Sequence, residues 1–128
     1  MKFGYTIIYV PDVAAALAFY ETAFGCTLRF LHDSGTYGEL DTGATTLSFA
    51  SHDMADFNGF KINPARADQD APGIEIAFVT DDVPAAFTRA VDAGAAPLSN
   101  PAQKPWGQTV SYVRDLNGVI VEICSPIP

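Results

Sequence analysis

The chain has 128 residues, enough for one domain, with a formal net charge of −8 and 48% hydrophobic residues. That apolar content excludes an intrinsically disordered chain, and the acidic balance without a basic patch argues against a nucleic-acid partner. No apolar run is long enough to cross a bilayer, so no membrane partner is expected, and the two cysteines, Cys26 and Cys124, make no disulfide framework.

The N-terminus carries one lysine, Lys2, and then reads as a strand, without the features of a signal peptide. A cytoplasmic location with reduced thiols is the expectation. Residues 6–10 are rich in β-branched and aromatic side chains and predict a strand, ended by Pro11. Asp12 can cap a helix whose apolar residues Val13, Leu17, Tyr20 and Phe24 follow the helical period, with Gly25 as its left-handed terminus. Strands over 27–32 and 37–41 follow, joined by a turn at Ser34-Gly35, and a third strand covers 45–50.

The pattern fails over 51–73, a long connection containing Asn63-Pro64 and Ala71-Pro72-Gly73. Phe57 and Phe60 within it read as a lid, a dimer contact or plain hydrophobic cover. The order then repeats. Residues 74–79 predict a strand, and Asp82 can cap a helix with Pro84 in its first turn and Val83, Phe87, Ala90 and Val91 on its apolar side. A loop is expected over 100–107, with Pro101, Pro105 and Trp106. Strands over 109–114 and 119–124 are joined by Asn117-Gly118, a strong hairpin signal.

The two halves align at an offset of about 70 residues. Asp12-Val13 falls on Asp82-Val83, Ala15-Ala16 on Ala85-Ala86 and Tyr5 on Glu75. Toward the end the offset drifts, so that Leu47-Ser48-Phe49 falls on Val121-Glu122-Ile123. Alternation along the strands puts Ile76 and Phe78 under the helix and Glu75 on the other face. Likewise Val119, Val121 and Ile123 suit the helix side, which leaves Glu122 on the inward face.

This layout resembles the vicinal-oxygen-chelate superfamily, which includes glyoxalase I, bleomycin-resistance proteins and extradiol dioxygenases. The resemblance rests on Tyr-Val-Pro-Asp-Val at 9–13, Phe-Tyr-Glu-Thr-Ala-Phe-Gly at 19–25 and Val-Arg-Asp-Leu-Asn-Gly-Val-Ile-Val-Glu-Ile at 113–123. It implies an α+β fold of two βαβββ modules, about 3–50 and 74–125, forming a curved, partly open eight-stranded sheet in a single domain. It also implies a homodimer. In metal-using members, four ligands come from four strands, and they fall here at Tyr5, Ser48, Glu75 and Glu122. The sequence departs from the family at these positions, since none is His. His32 and His52 lie elsewhere and read as surface residues.

Two carboxylates, a phenol and a hydroxyl suit Zn, Ni or Fe(II) poorly and hold Mg²⁺ or Mn²⁺ only weakly. The expectation is therefore a small-molecule-binding protein with no favoured cofactor and no transition-metal site. Glu75 and Glu122 stand at the polar end of an aromatic-walled cavity, either as an acidic recognition site or with Glu122 as a general base. Tyr5, Tyr37, Glu39 and Ser48 are further candidate ligand-binding residues. Trp106 is either a core anchor of its loop or a stacking wall. Two alternatives stand beside this reading. One is a metal-dependent lyase, isomerase or dioxygenase with Glu75 and Glu122 as ligands of a divalent metal. The other is an interaction protein whose own side chains fill the cavity.

Overall fold

The computed structural model describes residues 1–128, which divide into two compact units, Met1–Pro64 and Ala65–Pro128. In the first unit, strand β1 (Tyr5–Val10) leads into helix α1 (Val13–Phe24), followed by β2 (Thr27–Leu31), β3 (Tyr37–Asp41), β4 (Thr46–Ser51) and a short helix α2 (Asp53–Phe57). The second unit repeats the order with β5 (Glu75–Val79), α3 (Val83–Asp92), β6 (Ala96–Gln103), β7 (Thr109–Arg114) and β8 (Ile120–Cys124).

The expected eight strands are present as two open, mixed four-stranded sheets, ordered β1-β4-β3-β2 and β5-β8-β7-β6. In each, the first strand pairs in parallel with the last, and the remaining neighbours are antiparallel. No helix is long and apolar enough to cross a membrane.

Each module's helix begins on its aspartate. The Asp12 carboxylate accepts from the Ala15 N–H at 3.0 Å and Asp82 from Ala85 N–H at 3.1 Å, satisfying one of the free donors of the first turn. Helix α1 packs on β2, β3 and β4, and its buried face of Val13, Leu17 and Tyr20 meets Leu40 and Phe49. Helix α3 packs on β6, β7 and β8 with a thinner seam, Val83 and Ala90 being its buried residues. Phe87 and Val91, expected in that core, are half-buried.

Three expectations need correction. Strand β6 runs through Asn100 and Pro101, where a loop was expected. It is the outermost strand of its sheet, with register shifts between Pro97 and Ser99 and between Ser99 and Ala102. An edge position is where a residue without an N–H is tolerated, so its prolines do not break it. The long connection is not featureless: it contains α2, and Phe60 lies edge-to-face on Tyr9 at 6.0 Å. Phe60 thus packs partly within its own unit, while Phe57 projects into solvent. Lastly, His52 is not a surface residue. It is half-buried at the start of α2, and its Nε2 is shielded from solvent without a hydrogen-bond partner.

Candidate functional site

The polar face of the second unit is organised by the register of three strands. Glu122 on β8 stands opposite Ala77 on the parallel strand β5 and opposite Tyr112 on the antiparallel strand β7. Period-two alternation then puts Val110, Tyr112, Glu122 and Cys124 on one face, while Ser111, Val113, Val121 and Ile123 are buried toward α3. The first set lines an open cleft of about 720 Å³ whose other walls include Val79, Trp106 and Ile127.

Trp106 is 59% exposed and lines the cleft, and it is not buried in the core. Its indole N–H donates to Gln108 Oε1 at 2.8 Å, and the Gln108 amide donates to the Ser125 carbonyl at 2.9 Å. The ring is thereby tied to the chain just beyond β8.

Glu75 sits at the start of β5, two residues before Ala77. Its carboxyl interacts with that of Glu122, although Glu75 itself is not part of the cleft wall. Hydrogen bonding toward Glu122, then burial and the Glu122 charge, raise the Glu75 pKa above the ordinary carboxylate value. Burial and the two carboxylates also raise the Tyr112 phenol, and burial together with a bond to Glu122 raises the Cys124 thiol. Cys124 is buried and its thiol points to the Phe78 carbonyl at 3.7 Å.

A raised carboxyl pKa fixes the sign of a pH effect. The native state holds its proton to higher pH than the unfolded state does. Stability therefore falls as pH rises from the ordinary carboxylate range through the raised value, and the penalty is absent below that range. Glu75→Gln removes the penalty. Its urea midpoint is expected above that of the parent at about pH 7.5, with the gap closing near pH 4. The gain is small because Glu75 is solvent-exposed. A variant equally or less stable at the higher pH would contradict the raised pKa of Glu75.

The first unit uses the equivalent positions differently. Tyr5 pairs with Thr46 as Glu75 pairs with Ile120, and Ser48 lies in the register place that Glu122 holds in its own unit. Glu39 stands opposite Ser48, as Tyr112 stands opposite Glu122. The acid has thus moved one strand across, and it is neutralised there. Glu39 is 9% exposed; it accepts from the Tyr37 hydroxyl at 2.7 Å and from Arg29 Nη1 at 3.2 Å. Arg29 also donates to Thr46 Oγ1 at 3.0 Å and to Asp41 at 3.3 Å.

Arg29 is held in its charged form by the bond to Glu39. Burial raises the Tyr37 phenol, with Ser48 pulling the other way and Glu39 adding to the rise. Ser48 is fully buried, and its hydroxyl donates to the Thr6 carbonyl at 3.4 Å. Tyr5 is exposed and, with Lys2 and Thr46, borders a smaller cleft of about 320 Å³.

The structure therefore brings Glu75, Glu122 and Trp106 into one neighbourhood and Tyr37, Glu39 and Ser48 into another. Sequence reasoning missed Tyr112, Gln108 and Arg29. Tyr112 was within reach, because counting back from the Asn117-Gly118 turn pairs it with Glu122. Arg29 was not, because β2 shifts register between Leu28 and Phe30 and breaks the alternation that would have placed it.

The donor chemistry can be tested against a metal. No group of three or more His, Cys, Asp or Glu residues is placed to hold an ion. In the second unit, the carboxyls of Glu75 and Glu122 are brought near each other, and Glu75 lies outside the cleft wall. In the first, Glu39 is taken by Arg29 and Tyr37, and Ser48 by a backbone carbonyl. An imidazole-seeking ion finds no imidazole here, and these residues do not fit a Zn, Ni or Fe(II) centre.

The repeated module and the one-sided polar face define a glyoxalase-type protein. The sequence profile of the glyoxalase-like domain family matches residues 3–128, and the chain belongs to that family, within the vicinal-oxygen-chelate superfamily. No curated protein matches it. Among solved structures, it is similar to a glyoxalase-related enzyme from Fulvimarina pelagi (19% identity, TM-score 0.83, covering 98% of this chain and 88% of that one). It is similar also to a glyoxalase/bleomycin resistance protein/dioxygenase family enzyme from Burkholderia phytofirmans PsJN (20% identity, TM-score 0.83, 98% of both chains). A third is TioX from Micromonospora sp. ML1 (22% identity, TM-score 0.72, 98% of both chains). At these identities the likeness concerns the fold.

Proposed function

We propose that this chain is a small-molecule-binding protein that holds its ligand in the cleft of the second unit, without a transition metal. One observation carries the reading: a tethered, exposed indole and a carboxyl pair at one apolar, open cleft. Its volume of about 720 Å³ falls in the range of sites that hold drug-sized ligands. The ligand stacks on Trp106 and packs on Val79, Val110 and Ile127, and Glu122 orients its polar end. If the bound molecule is also transformed, Glu122 is the general base, because it faces the cleft while Glu75 lies outside its wall. Pairing with a second copy of the chain is part of the proposal and rests on the family alone.

Trp106 is the chain's single tryptophan, so its fluorescence reports on the cleft directly. Titration with indole, catechol and naphthol in the presence of EDTA is expected to give saturable quenching and a raised melting temperature for at least one of them. Metal analysis of the purified protein and of Glu122→Ala runs alongside. Stoichiometric Zn, Ni, Fe or Mn that disappears in the variant would overturn the metal-free reading in favour of a metalloenzyme. Absence of any binding would favour an interaction protein.

A further inference from the structure

We infer that the cleft of the second unit selects organic cations: a protonated or quaternary amine on an apolar or aromatic body. This rests on the binding reading above and narrows it to a ligand class. The first ground is unmatched charge. Glu39 in the first unit has Arg29 as its counter-ion, and Arg29 also pairs with Asp41. No Lys, Arg or His forms an ion pair with Glu75 or Glu122. The groups facing the pair are Tyr112 on β7 and Cys124, on the same strand as Glu122, and neither supplies positive charge.

The second ground is the wall. An exposed indole face beside a carboxylate attracts a cation through the ring quadrupole as well as through charge. Because the Trp106 N–H is already bonded to Gln108, the indole has no free donor to offer an anionic or carbonyl ligand, and the face is what remains. Val79, Val110 and Ile127 give the body of the ligand apolar cover, and no Lys, Arg or His lines the cleft to offer a cationic donor to an anion. A small hydrated metal ion gains nothing from such walls, and the two carboxyls fall short of the oxygen shell it needs. The net charge of −8 attracts cations to the surface as a whole.

The test compares three probes of one shape: phenethylammonium, phenethyl alcohol and phenylpropionate, titrated against Trp106 fluorescence in moderate salt. Benzyltrimethylammonium serves as a cation that cannot donate a proton. Both cations are expected to bind roughly ten-fold more tightly than the alcohol, and phenylpropionate more weakly than the alcohol. Glu122→Gln is expected to erase the preference for cation over alcohol, whereas Glu75→Gln, which leaves the Glu122 carboxylate in the cleft, is expected to keep it, with circular dichroism confirming that each variant is folded. Alcohol and phenylpropionate binding as tightly as the cations would overturn the inference while leaving the cleft as a binding site. A preference that survives Glu122→Gln would overturn it as well. Failure of all four probes to reach Trp106 would remove both the inference and the reading beneath it.

Discussion

Gly118→Ala is expected to lower stability by about 2–4 kcal/mol, read from the urea midpoint. Gly118 closes the turn between β7 and β8 with φ +88°, in the left-handed region. A Cβ there costs about 1–2 kcal/mol from local sterics alone. It would also stand 2.5 Å from Arg114 Nη2 and 2.6 Å from the Arg66 carbonyl oxygen. Arg114 donates to that carbonyl at 3.1 Å and to the Gly118 carbonyl at 2.9 Å, which ties the segment before β5 to the hairpin. The methyl group breaks this clasp, and the neighbouring backbone must give way. Asp115, which accepts from the Asn117 and Val119 N–H groups, holds the turn in the shape that creates the conflict. Gly35→Ala is the control. Its φ is +72°, but nothing lies within 4 Å of the added carbon, so only the local cost applies. Equal losses for the two variants would show that the Arg114 clasp contributes nothing.

Phe49→Ala is expected to be costlier still, about 3–5 kcal/mol, and to act on the first unit. Phe49 is fully buried on β4, and its ring lies 5.0 Å from that of Tyr20 on α1. Tyr20 in turn meets Phe24 at 5.0 Å. Truncation leaves a cavity that α1 cannot fill without tilting. Phe49→Leu keeps most of the volume and is expected to lose about half as much, which separates cavity from chemistry if the alanine variant fails to fold. Chemical denaturation of both variants checks the order; a leucine variant as damaged as the alanine one would point to ring contacts rather than volume.

Much of the fold was legible because its signals are local. The Asp12 and Asp82 caps, the Gly25 terminus and the Asn117-Gly118 hairpin each fix a boundary within a few residues. The repeat at an offset of about 70 residues then orders the elements. Strand β6 was not legible, because Pro97 and Pro101 look like strand breakers until the strand is known to lie at an edge. The short helix α2 was missed because its five residues make little more than one turn, too short for a helical period to show.

The site was legible by halves. Alternation placed Glu75 and Glu122 on one face, and the two carboxyls interact across it. What alternation cannot supply is the counter-ion. Arg29 becomes a partner of Glu39 only through a register shift in β2, so a sequence could not tell that one acid is matched and the other pair is not. Trp106 was ambiguous for a similar reason, since its direction depends on the tether through Gln108 to Ser125.

The different place of the acid in the two units has a consequence for tolerance to change. A doubled scaffold offers two addresses for one inward charge. In the first unit the acid is tied to Arg29, which staples three strands together. In the second it has no cationic partner. A substitution at Glu39 therefore acts on cohesion, and one at Glu122 on the proposed selectivity, within a single small chain.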